Sequence, residues 1–72
     1  MLYTATKQAI AEFDALPVNA AGRDAAIDKA ADCFARESVA AGTGNTLATA
    51  KHAAAWALKS GARGWLDRTT QH

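Results

Sequence analysis

Alanine dominates this chain, and the residues that stop a helix fall at only a few points. Alanine has the highest helix propensity of any residue, whereas strands draw on Val, Ile and Thr, which are scattered here rather than run together. Helix is therefore the expectation throughout, and the breakers divide it. Pro17, followed by Val18 and Asn19, ends a first segment, because proline pushes the residue before it out of the helical region. Gly42-Thr43-Gly44-Asn45 ends a second, with Gly42 suited to the left-handed conformation that closes many helices. Gly61 and Gly64 loosen the end of a third.

Between the breakers, apolar residues recur at three- and four-residue steps. The first helix is expected over about 3–16, capped by Thr4 or Thr6, with Ala9, Ile10, Phe13 and Leu16 as its stripe. The second is expected over 20–41 with Asn19 as N-cap. Its stripe is Ile27, Ala30 or Ala31, Phe34, and Ser38 or Ala41, flanked by Ala26 and Cys33. The third spans 46–60 behind a cap at Thr43 or Asn45, with Leu47, Ala50, Ala54, Ala57 and Leu58 on one side. A last turn over 62–68 brings Trp65 and Leu66 back to the core. The expected fold is a compact all-α three-helix bundle with a short C-terminal helical turn, one domain over residues 1–72.

Its core is a few large side chains set among alanines. A chain of 72 residues buries only roughly 60% of its unfolded surface, and scaffolds this small are usually stapled by disulfides, a metal or a second chain. Cys33 is the only cysteine, which excludes an internal disulfide. Cys33, His52 and His72 lack the paired spacing of a tetrahedral zinc site, so neither metal nor cofactor is expected. A second copy is the staple that remains, and a homodimer is expected. The opening Leu2-Tyr3-Thr4-Ala5-Thr6-Lys7-Gln8 has neither the basic nor the apolar region of a signal peptide, and no window approaches the ~20 apolar residues of a membrane span. The expected setting is the cytoplasm, with a reduced thiol.

The net charge of +1 does not by itself imply a polyanionic partner. Its distribution is uneven. Residues 1–44 hold four basic and six acidic side chains, a balance of −2, whereas residues 45–72 hold four basic and one acidic, a balance of +3. Asp24, Asp28 and Asp32 stand at four-residue steps on the second helix, a spacing at which like charges cost ~0.2–0.5 kcal/mol per pair. Arg36, the lysines of the third helix or a basic partner could offset that cost; the bland reading is a solvated face. The third helix has the opposite sign: Lys51, His52 and Lys59 accompany Trp56 on the side away from Leu47, Ala54 and Leu58, and Arg63 follows. Trp56 is either ordinary core or an interface anchor, tryptophan being enriched at binding hot spots. Trp65 is expected to close the core.

Catalytic chemistry finds little footing. Cys33 falls beside Phe34 on an apolar flank, where a free thiol is usually inert. His52 has no nucleophile patterned with it, and Gly42-Thr43-Gly44 matches no phosphate-binding loop. The expected role is non-enzymatic: an inhibitor or adaptor that binds a larger protein or protein complex, the size class that includes phage-encoded modulators of host machinery. Trp56 would be its anchor, oriented by Lys51, His52, Lys59 and Arg63 or by Asp24, Asp28 and Asp32. The competing expectation is a helix-turn-helix that binds DNA through residues 45–60, with a short Gly-bearing turn in its favour. Against it, Thr46, Leu47, Ala48 and Thr49 offer almost nothing to read base edges.

Overall fold

The computed structural model describes residues 2–71, so His72 lies outside the described residues. Those residues form four helices and no strand: α1 (Thr4–Asp14), α2 (Arg23–Ala40), α3 (Leu47–Ser60) and α4 (Gly64–Thr70). The expected last turn is thus a helix in its own right, starting two residues late and running two further. No helix among these residues is long and apolar enough to cross a membrane.

α2 is the central element, packed against α1 and against α3. The stripe on α2 is buried as its spacing requires, through Ile27, Ala30, Ala31, Phe34 and Ser38, with Ala35 added and Ala26 and Cys33 half-buried on the flanks. Ala9, Ile10 and Phe13 meet it from α1; Ala50, Ala54, Ala57 and Leu58 meet it from α3. α4 fastens the remaining side. Its Leu66 is fully buried, Trp65 lies edge-on to Phe34 of α2 at 5.8 Å, and Arg63 at its head is bonded to Asp14 of α1. The chain has a radius of gyration of 11.3 Å, against about 11 Å for a compact domain of this length.

Leu47 departs from its stripe. It shares the register of Ala50 and Ala54 but sits in the first turn of α3 and is 54% exposed. A matching angle buries a side chain only where another element lies opposite, and at this end none covers it.

The helix ends correct the expected caps. α1 begins at Thr4 behind Tyr3, whose backbone is left-handed (φ 63°). That conformation costs a bulky residue of order 1–3 kcal/mol, offset here because the ring is buried and stacks on Phe34 at 5.5 Å. Neither Thr4 nor Thr6 serves as N-cap. Glu37 of α2 accepts from the Ala5 and Thr6 backbone N–H groups at 3.3 and 2.8 Å and from the Thr6 hydroxyl at 2.6 Å, so α1 is capped from another helix. α1 also stops at Asp14, two residues early.

α2 starts at Arg23 rather than 20 because two turns, Ala20 N–H to Pro17 carbonyl and Arg23 N–H to Ala20 carbonyl, follow the proline. They leave Asn19 outside and make Gly22 the N-cap. The Arg23 guanidinium lies 4.4 Å from the Phe13 ring centre, tying this start to α1. Gly42 behaves as expected, left-handed at φ 75°, one residue beyond the C-cap Ala41. With it, Thr43 N–H reaches the Ser38 carbonyl and Gly42 N–H the Val39 carbonyl, closing both bonds of a Schellman end. Thr43 therefore serves the end of α2: its hydroxyl bonds the Ser38 carbonyl at 3.0 Å and the buried Ser38 hydroxyl at 2.8 Å. The N-cap of α3 is neither Thr43 nor Asn45 but Thr46, whose oxygen accepts from Thr49 N–H at 3.1 Å.

Candidate functional site

The basic face expected on the third helix divides in two. Lys51 turns toward α2, where its ammonium lies 3.2 Å from Asp28 and 4.0 Å from Asp32. Asp32 also pairs with Arg36 one turn on, at 2.8 Å. These contacts are the offset the carboxylate spacing calls for, and they come from within the chain. Asp24, in the first turn of α2, has no ion-pair partner among the described residues and is favoured there by the helix dipole.

His52 and Trp56 face the other way. Trp56 is 57% exposed. Its neighbour across space is Trp65 of α4, half-buried against the core, and together with His52 and Ala53 the two rings line an open groove of about 400 Å³. The half-buried Trp65 and the exposed Trp56 give this groove its apolar character. The sequence pointed to Trp56 but not to its pairing with Trp65, because the two belong to helices separated by the Gly61 break and their approach is tertiary. Gly61 makes that approach possible: as C-cap of α3 it turns the chain at φ 82°, where a side chain would be strained.

Arg63 belongs to a different construction. Its guanidinium forks onto both Asp14 oxygens, at 2.5 and 2.9 Å, and onto Asp67 one turn along, at 3.1–3.2 Å. Its side chain is 22% exposed, and the hydrogen bonds to Asp14 and then Asp67 push its pKa upward against the opposing effect of burial. A guanidinium so fully engaged has little left to offer a partner. Lys59 by contrast is exposed, one turn along α3 from Trp56, and shares a shallow depression with Asp24, Ile27, Asp28 and Ala55. Arg68 stands one turn along α4 from Trp65, folded back so that Nη1 would lie 3.3 Å from a Cβ at Gly64. Sequence reasoning passed over Arg68; the one signal for it was its three-residue step from Trp65.

Cys33 is a free thiol, half-buried against the core. Among the described residues no three His, Cys, Asp or Glu side chains are grouped to hold a metal ion. No family model, no curated protein and no solved structure matches this chain.

Proposed function

We propose that this chain is a non-enzymatic protein–protein interaction module of the cytoplasm, a small inhibitor or adaptor that acts by docking its α3–α4 face on a larger protein. Phage-encoded modulators of host machinery are of this kind and size. The observation that carries the reading is the exposed Trp56 ring set against Trp65 in one apolar groove. A large aromatic beside a concave apolar surface is what hot spots are made of, since covering it removes much area from water at low entropic cost.

The groove takes precedence over the α2 carboxylates as the contact surface. Asp28 and Asp32 already have cationic neighbours within the chain, so a basic partner would have to displace them. DNA binding through α3 is weakened for a related reason: Lys51 is engaged by those carboxylates, and the Thr46 and Thr49 hydroxyls bond each other at 2.9 Å at the helix start. Homodimerisation through the same face is the other use of the groove.

Light scattering on the purified chain, followed by affinity capture from a host lysate with wild type and Trp56→Ala, tests the proposal. The expected result is a defined protein retained only when Trp56 is present, with the particle size of the free chain showing whether a second copy covers the groove. Equal capture by both forms would remove the groove as the contact surface. Binding to arbitrary duplex DNA that weakens steeply with salt would favour the nucleic-acid reading.

A further inference from the structure

We infer that the groove between Trp56 and Trp65 is held in shape by α1, a helix with no residue in its lining, through the ion pair of Asp14 with Arg63. The groove is thereby made sensitive to ionic strength. The inference rests on the docking role proposed above and names what positions and regulates that surface. The lining consists of His52, Ala53 and Trp56 from α3 and Trp65 from α4. These two helices are joined along the chain by Gly61-Ala62-Arg63, with Gly61 at φ 82° and Ala62 in water. α4 packs chiefly on α1, on the side away from the groove. The position of Trp65 is therefore set from the far side of its own helix.

Two kinds of attachment set it. Leu66, fully buried, plugs α4 into the core, and the Trp65 ring meets Phe34 edge-on at 5.8 Å. Both contacts fix the depth of α4. A helix of seven residues plugged by one side chain can still roll about it. The Arg63 guanidinium stops that roll by holding both Asp14 oxygens, while Asp67 holds the guanidinium from within α4. At about 100° per residue, Trp65 stands nearly opposite both Arg63 and Asp67, each two residues away. A roll that frees the α1 side thus carries the Trp65 ring relative to Trp56. The seam that the fork bridges is an open cleft of about 360 Å³, lined by Lys7, Ile10 and Asp14 of α1 and by Arg63, Asp67 and Thr70. Solvent ions reach the pair there: the Asp14 side chain is 49% exposed. An exposed carboxylate is the part of such a pair that salt screens.

The test uses the full chain, nitrogen-15 labelled, with two readouts by nuclear magnetic resonance. Hydrogen exchange of the α4 amides reports how often that helix lifts. The two indole N–H signals report the groove, since both tryptophans of the chain line it. Asp14→Asn removes the charge that ties Arg63 to α1; Asp67→Asn removes an equal charge that leaves the tie in place. In Asp14→Asn the α4 amides should exchange about ten-fold faster, as loss of a charge-assisted pair implies, and both indole signals should shift while α2 amides hold. Asp67→Asn should leave the indole signals near their original positions, and Asp14→Glu, which keeps the carboxylate, should restore them. Raising NaCl from about 0.05 to about 1 M, which shortens the screening length to ~3 Å, should move the wild-type signals toward those of Asp14→Asn and leave that variant unchanged. Indole signals unmoved in Asp14→Asn would show that Leu66 and Phe34 place Trp65 without α1, overturning the inference. So would an equal effect of Asp67→Asn, or faster exchange of α2 along with α4, which would make the pair a general stabiliser. No partner enters the measurement, so a negative result here leaves the docking proposal to its own capture test with Trp56→Ala.

Discussion

Replacing Glu37 should do more damage than its place on the flank of α2 suggests. Three donors converge on its carboxylate: the Ala5 N–H, the Thr6 N–H and the Thr6 hydroxyl. Thr6 is fully buried, so Glu37→Ala leaves its two donors without a partner and removes the cap of α1. A hydrogen bond to a charged acceptor contributes ~1.5–3 kcal/mol, and the Ala5 contact is longer and exposed, so a loss of ~2–4 kcal/mol is expected. Against a total of ~4–11 kcal/mol for a chain of this length, that lowers the melting temperature by roughly 10–25 °C. Glu37→Gln keeps an acceptor oxygen and should lose about 1 kcal/mol.

The pH dependence gives a second handle on the same residue. Burial pushes the Glu37 carboxyl up, but the Thr6 hydroxyl and the two backbone donors outweigh it and hold its pKa below the ordinary 4.5. Below pH 4.5 the unfolded chain therefore binds this proton more readily than the folded one, and stability rises with pH across that interval. The contribution is complete above about 4.5 and is lost as pH falls through the lower, folded value. Thermal melts followed by circular dichroism from pH 7 down to pH 3 should show the gap between wild type and Glu37→Ala narrowing below 4.5. If the two melt together at pH 7, or keep a constant gap down to pH 3, the capping argument fails.

Arg63→Lys removes the fork that fastens α4 to α1, since an ammonium cannot address both Asp14 oxygens and Asp67 together; amides of α4 should exchange with solvent about ten-fold faster while those of α2 hold. Gly42→Ala should cost about 1 kcal/mol by denaturant unfolding, because position 42 keeps φ at 75° whatever residue stands there. Trp56→Ala should change stability by less than about 1 kcal/mol, its ring being mostly in water already. Trp65→Ala should cost ~2 kcal/mol or more, because Trp65 packs on Phe34. If the two tryptophans reversed in that comparison, Trp56 would be core and the groove reading would fall.

The parts of this fold that periodicity governs were legible from residue order. Ile27, Phe34, Ala54 and Leu58 are buried because their spacing puts them on one side of a helix, and Gly42 closes α2 because glycine adopts the left-handed backbone there without strain. What stayed hidden depends on partners far along the chain. Glu37 looks like an ordinary helical acid until α1 is laid beside it, thirty-one residues from Thr6 in sequence. Arg63 reads as part of a basic tail until Asp14, forty-nine residues away, meets it. The same limit applied to Leu47 and Trp56: helical angle tells which way a side chain points, and only the packing of other helices tells whether anything stands there.

That limit gives Trp56 its meaning. α3 meets the core through Ala50, Ala54 and Ala57 with one large residue, Leu58, while its largest side chain points outward. Small residues against α2 let the helices approach closely, which gains dispersion contacts but leaves the core lean in apolar area. A sequence arranged for stability alone would turn the tryptophan inward, where its burial is worth several times that of an alanine. Here α1, α2 and α4 are held together without it, through the Arg63 fork, the Glu37 cap and the Leu66 plug. A large aromatic that the packing leaves in water, lining one groove with Trp65, is the feature that the proposed docking role would account for.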